Sequence, residues 1–264
     1  MQAQKKIGVL DSGLGGLTVV KELLQILPGE SIVYFGDNAN CPYGNRSREE
    51  ILKLSSAMLD FLRERGVKIA AIACNTISTL IEPLRRCCEF PIVSIIEAAS
   101  EYVAAMKLSQ AGLFATEFTI RQGLYEKLIQ KIHPKTKVYG QASRTLAALV
   151  DSGEFDSPAA KAEVASLLHT IKEAHPALDH IVLGCTHYPI VQGLFEQAAP
   201  DIKFINPAEV QAKAVQALLL QRGLLAETPE PCLDIFTSGN KTQYRKALKK
   251  LKIQRQANIN IIKY

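Results

Sequence analysis

Short apolar runs alternate with longer segments in which apolar residues recur every third or fourth position, from one end of the chain to the other. The short runs predict strands at KIGVL (6–10), SIVYFG (31–36), KIAAIA (68–73), PIVSII (91–96), AGLFA (111–115), KVYG (137–140), HIVLG (180–184), KFIN (203–206) and LDIFTS (233–238). Several lack inside/outside alternation, as strands covered on both faces do. The segments between them predict helices with readable ends. Pro28-Gly29 stops the first, Ser47-Arg48-Glu49-Glu50 is a capping box for a helix that stops at Gly66, and Ser157-Pro158 is an N-cap followed by proline at the first helical position. This is the pattern of an α/β protein built mainly from parallel βαβ units.

In such folds ligands bind beyond the carboxyl ends of the strands. The residues standing there are Asp11-Ser12, Gly36-Asp37, Cys74-Asn75-Thr76, Glu97, Thr116 with Thr119, Cys185-Thr186-His187, Asn206 and Ser238-Gly239. They are small polar side chains and two thiols. No lysine or arginine is among them.

Composition narrows the class. The chain has 264 residues, 47% hydrophobic and 22% charged, enough for one large domain or two small ones. No apolar run approaches the roughly 18 residues of a membrane span. The opening MQAQKKIGVL lacks a signal-peptide core, so the cytoplasm is expected. The six cysteines, at 41, 74, 87, 88, 185 and 232, form no C-x-x-C pair and no disulfide framework. Cys87, Cys88 and Cys232 read as small buried apolar groups. Residues 241–264 hold eight basic side chains (Lys241, Arg245, Lys246, Lys249, Lys250, Lys252, Arg255 and Lys263) and no acid, against a whole-chain net charge of +5. Tyr244, Leu248 and Leu251 recur there at helical spacing, so the charges read as the wet face of a packed helix rather than as a nucleic-acid surface.

DSGLGG follows the first strand and opens a helix, where glycines let backbone N–H groups face an anion. A dinucleotide site is the rival reading, with Asp37 as the ribose-binding acid. The pattern is not G-x-G-x-x-G, however, because Thr18 fills the third glycine's place, and no G-K-[ST] makes it a P-loop. Cys185 and His187 alone cannot make a zinc site, which takes three or four ligands. No metal is expected. A cysteine hydrolase, with Cys185 as nucleophile and His187 as base, leaves the matching turn at Cys74 unexplained.

Taken together, the two strand–cysteine turns fit a different chemistry. Two thiols flanking one carbon can remove a proton from one face and deliver one to the other, inverting a stereocentre. A free thiol titrates near about 8.5, so modest tuning yields a usable thiolate. The carbanion between them needs donors, and Asn75, Thr76, Thr186 and nearby N–H groups are suitable.

DSGLGG, YFGDNANCPYG, ACNTIS and GCTHYP, in that order and spacing, resemble the glutamate racemases, a cofactor-independent family in the aspartate/glutamate racemase superfamily. The resemblance runs from Ile7 to about residue 250. It implies two similar Rossmann-like domains with mainly parallel sheets and an active site in the interdomain cleft; residues 1–97 plus 208–264 would form one domain and 98–207 the other. It implies a catalytic pair at Cys74 and Cys185, with Asp11 assisting near Cys74 and His187 near Cys185. Substrate contacts would come from Asp11, Ser12, Tyr43, Gly44, Asn75, Thr76, Thr116, Thr119, Thr186 and His187. The substrate would be glutamate, with D-glutamate destined for peptidoglycan precursors, and the assembly a homo-oligomer, a dimer; no cofactor, membrane or nucleic acid is implied. Another acidic amino acid, aspartate, is the alternative substrate. The chain departs from the family pattern in three places. Ala115 replaces a glycine in ATEFT, a proline is lost after Glu97, and AALVDSG puts Asp151 where the family has glutamate.

Overall fold

The computed structural model describes residues 5–226 and 230–262. The expected domain ranges therefore begin and end in residues, 1–4 and 263–264, that lie outside this description, as does Lys263 of the basic segment.

The described residues form ten strands: β1 (Ile7–Asp11), β2 (Ile32–Gly36), β3 (Ile69–Ile72), β4 (Ile92–Ser94), β5 (Gln110–Ala115), β6 (Lys137–Ala142), β7 (His180–Gly184), β8 (Lys203–Ile205), β9 (Leu233–Thr237) and β10 (Ala257–Ile261). They form two sheets, one of six strands in the order β10-β9-β2-β1-β3-β4 and one of four in the order β6-β5-β7-β8. Every strand pair is parallel. The fold is α/β, as the alternation of short and long apolar segments requires.

All residues of β1, β2, β3 and β7 are buried, which explains their unbroken apolar runs. Leu10, Val33, Phe35 and Ile72 pack on one side of the six-stranded sheet against Met58 and Leu62 of the helix Arg48–Glu64. Ile7, Val9, Tyr34 and Ala71 point to the other side, into a core continuous with Leu113, Val182 and Leu183 of the four-stranded sheet. One hydrophobic body thus runs between the two sheets and holds their carboxyl ends together.

Helix ends follow the sequence. Ser47 and Glu50 form the reciprocal capping box, at 3.2 and 2.9 Å, and the chain leaves that helix through Gly66 at φ +62°. Ser157 caps the helix Pro158–Ala174 through the N–H of Ala160. Two expectations change. PIVSII is a strand only as far as Ser94, whose hydroxyl accepts from the N–H of Glu97 and starts the helix Ile95–Ala105. ANINI, which carries no continuous apolar run, pairs with β9 as the half-exposed edge strand β10. Of the cysteines read as buried, Cys87 is exposed, and Cys88 and Cys232 are half-buried.

Candidate active site

Loops from the carboxyl ends of β1, β2, β3, β5 and β7 converge on one cavity. It is lined by Ser12, the Cys41–Gly44 segment, Cys74, Asn75, Thr76, Thr116, Ala147, Cys185, Thr186 and His187, with no lysine or arginine. Its volume is about 30 Å³, room for a water molecule or two.

Cys74 stands just beyond β3, at the residue preceding the short helix Asn75–Ser78. Its Sγ lies 3.4 Å from Ser12 Oγ. Burial, reinforced by the nearby Asp11 carboxyl, pushes this thiol up to about 12, so at neutral pH it holds its proton. Asp11 is buried beneath the cavity rather than in its wall. It accepts from the N–H of Gly13 at 2.9 Å and from Thr186 Oγ1 at 3.0 Å. Burial raises its carboxyl above the usual range, although the charge on His187 and these donors oppose the shift.

Cys185 follows β7, and its Sγ lies 3.7 Å from His187 Nδ1. The other ring nitrogen, Nε2, lies 3.1 Å from Asp151 Oδ1. Burial alone would lower the imidazole; its bonds to Asp151 and Cys185 outweigh that and raise it well above the ordinary value. Both ring nitrogens face acceptors, as an imidazolium requires. Burial pushes the Asp151 carboxyl up, but the bond and charge of His187, the Leu14 N–H and the Asn38 amide more than offset it and leave it below the usual range.

The rest of the wall is hydroxyl and amide. Thr76 Oγ1 lies 3.1 Å from Thr116 Oγ1, which lies 3.0 Å from Thr119 Oγ1. Thr119 therefore supports the wall from behind it. Asn75 Oδ1 accepts from the Tyr125 hydroxyl at 2.7 Å, while its buried Nδ2 has no hydrogen-bond partner among the described residues. Such a donor is costly to bury without a partner and is spare for a ligand. Tyr43 is buried with its hydroxyl on Asp37 Oδ2 at 2.7 Å, so its ring braces the loop that carries Gly44.

The family described as Asp/Glu/hydantoin racemase matches residues 7–215. The glutamate racemase of Desulforudis audaxviator is 35% identical over 253 residues, covering 92% of each chain. That of Thermoanaerobacter pseudethanolicus is 36% identical over 267 residues, 98% of this chain and 99% of the other. The chain belongs to the Asp/Glu/hydantoin racemase family. The racemase is an isomerase acting on a small molecule. Among solved structures, the Francisella tularensis glutamate racemase in complex with D-glutamate superimposes with a TM-score of 0.89 at 31% identity, covering 99% of this chain and 98% of that one. The Bacillus anthracis isoform RacE1 gives 0.89 and 31% over 98% and 97%. Among the described residues no helix is long and apolar enough to cross a membrane.

Several strand-end residues of the racemase lie apart from the cavity. Asp37 is surrounded by Asn40, Tyr43 and Ser238, which use its oxygens; it ties β2 to β9 and is not free to hold a ribose. Glu97 pairs with Arg85 at 2.6 Å, and Asn206 caps the helix Pro207–Gln221. The N–H groups of the DSGLGG turn serve carboxylates of the protein itself: Gly13 serves Asp11 and Leu14 serves Asp151. Cys41, Ala147, Asn38 and Tyr125 belong to the site or its immediate support and were not singled out by sequence reasoning. The position of Cys41, two residues before Tyr43, was the available signal.

Proposed function

We propose that the racemase interconverts L- and D-glutamate without a cofactor, Cys74 and Cys185 acting as acid and base on opposite faces of the α-carbon. The observation that carries this reading is that two thiols, delivered by different sheets, line one cavity and have dissimilar partners. Cys74 keeps its proton beside a buried carboxyl group, and Cys185 lies against an imidazolium. That arrangement fits turnover from the L-enantiomer: Cys185 accepts the α-proton, and Cys74 delivers its own to the far face. The reverse direction uses the same groups with roles exchanged.

His187 offers a positive N–H to Cys185, and Asp151 fixes the ring and its charge. Asp11 sits beside Cys74 in the corresponding place and holds the Thr186 hydroxyl. The α-proton is a far weaker acid than a thiol, so the carbanion needs stabilising donors. Asn75 Nδ2 and the hydroxyls of Ser12, Thr76, Thr116 and Thr186 are available to a substrate, with Tyr43 and Gly44 in the adjoining wall and Thr119 behind. We divide the chain into domains at 1–97 plus 208–264 and 98–207, with this cavity in the cleft. The same reading makes the enzyme a cytoplasmic homodimer that supplies D-glutamate for peptidoglycan precursors.

Incubation with L-glutamate in deuterated water tests the reading. Loss of optical rotation together with α-deuterium in both enantiomers is expected. Unchanged glutamate, or turnover of aspartate in its place, would overturn it.

A further inference from the structure

The basic helix Lys241–Lys250 lies between β9 and β10, outside the stretch matched by the family, yet its only fully buried large side chain reaches the site. The hydroxyl of Tyr244 lies 2.7 Å from Asn38 Oδ1 and 2.9 Å from the carbonyl oxygen of Gly13. It has one proton. Both oxygens are acceptors, but the contact to Asn38 is the shorter, and the Gly13 carbonyl has a second donor in Tyr34 at 2.6 Å. Thr237 Oγ1 donates to Asn38 Oδ1 at 3.0 Å. With its oxygen held from two sides, the Asn38 amide must face the other way, and its Nδ2 lies 3.2 and 3.0 Å from the two oxygens of Asp151.

The two Asp151 oxygens are not equivalent. Oδ1 accepts from the Leu14 N–H and from His187 as well as from Asn38, whereas the one side-chain or backbone donor recorded for Oδ2 among the described residues is Asn38. The backbone makes room for this arrangement. A side chain at Gly36 would run into the Tyr244 hydroxyl and the Gly13 carbonyl, so the approach exists only because β2 ends in glycine. Lys246, from the same helix, reaches over Gly153 just beyond Asp151.

We infer that Asn38 and Tyr244 are positioning residues for the racemase reaction: Tyr244 and Thr237 fix the Asn38 amide, which orients the Asp151 carboxylate that holds His187 against Cys185. The inference rests on the two-thiol reading, and it makes the C-terminal helix a working part of the site. Neither residue touches the cavity, so turnover rather than substrate binding depends on them. Removing Asn38, the one donor to Asp151 Oδ2 among the described residues, takes a stabilising hydrogen bond from a half-buried carboxylate and makes the acid easier to protonate. The other titratable groups around that carboxylate, His187, Asp11, Cys41, Cys74, Cys185 and Tyr34, are unchanged by the substitutions below.

The test compares Tyr244→Phe, Asn38→Ala and their double variant with Tyr125→Phe, which removes a similar buried hydroxyl that bonds Asn75 and contacts neither Asn38 nor Gly13. Steady-state kinetics with both glutamate enantiomers are measured across pH, and the Asp151 carboxyl carbon is titrated by NMR. Expected are a fall in kcat of about tenfold for Asn38→Ala with KM nearly constant, an Asp151 titration and acid limb both moved to higher pH in each single variant, and a double variant no worse than Asn38→Ala. Tyr125→Phe should leave the Asp151 titration in place. An unmoved Asp151 titration in Tyr244→Phe, additive losses in the double variant, or an equal shift in Tyr125→Phe would overturn the assignment. If the wild-type protein fails to racemise glutamate, the functional reading falls, and the Asp151 titration alone decides this one.

Discussion

Asp151 and His187 stand 36 positions apart in the sequence and 3.1 Å apart in the fold, and their contact leaves the second ring nitrogen of the histidine pointing at Cys185. Asp151→Asn keeps the shape and removes the charge. It should cost about 100-fold in kcat/KM, or roughly 2.7 kcal/mol. His187 would then lose its raised affinity for protons, so the alkaline limb of the pH–rate profile should move to lower pH. An unmoved limb would separate His187 from the observed ionisation.

The same pair makes a stability prediction. The raised His187 contributes stability that is fully present below its ordinary value of 6.5 and is lost as pH rises through its higher folded value. The depressed Asp151 contributes stability present above its ordinary value of 3.8 and lost as pH falls through its lower folded value. The wild-type advantage over Asp151→Asn in denaturant unfolding should therefore be largest between these two ordinary values. It should shrink toward both acid and alkali. An advantage constant from acid to alkali would refute the linkage.

Replacing either Cys74 or Cys185 by alanine should abolish racemisation, since each turnover needs groups on both faces. The surviving thiol can still remove and return a proton on its own side. On the proposed assignment, with Cys185 facing the L-enantiomer, Cys185→Ala should exchange solvent deuterium into D-glutamate and little into L-glutamate, and Cys74→Ala the reverse. Mass spectrometry of the separated enantiomers measures this. Racemisation surviving in either variant would remove that thiol from the mechanism.

A cavity without lysine or arginine holds the side-chain carboxylate by N–H groups and hydroxyls at fixed positions. Shortening the substrate by one methylene leaves those donors unpaired. Glutamate should exceed aspartate by at least about two orders of magnitude in kcat/KM. Activity should also survive exhaustive dialysis against a chelator; loss restored by added metal would contradict the acid–base reading.

Gly36→Ala would force a methyl group into the Tyr244 hydroxyl and the Gly13 carbonyl. A loss of about 1–3 kcal/mol is the usual cost of overpacking, visible as a lower denaturant midpoint. Removing the obstructing oxygen in Gly36→Ala/Tyr244→Phe should return part of it.

The parallel framework was legible because strands buried on both faces cannot hide their composition. The capping box and the proline-led helix were legible because caps are local. β10 was not, since an edge strand with one wet face needs no apolar run. The helix start at Ser94 was missed because Ile95 and Ile96 suit either structure, and one hydroxyl decides between them. The motif residues around Cys74 and Cys185 could be read from their strand-end positions. Asp151 was reached only through resemblance, because its role depends on contacts with Leu14, Asn38 and His187 that close over long stretches of chain. Asn38 lies inside the motif YFGDNANCPYG and Tyr244 on the packed face of the last helix, but nothing local to either position points to the other or to Asp151.

The six-stranded sheet places β9 beside β2, although about two hundred residues, including all of the second sheet, separate them in the chain. On a ribosome that interval is time. Every cysteine, threonine and histidine of the cavity has been synthesised well before β9 exists, and until then β2 presents an unpaired edge with Tyr34 and Phe35 on it. The last strands to be made therefore close the sheet that the first strands begin, and the same closing segment carries Tyr244 to Asn38. A nascent chain holding all its motifs is still an open-edged intermediate, dependent on chaperones or speed to avoid pairing with a neighbour.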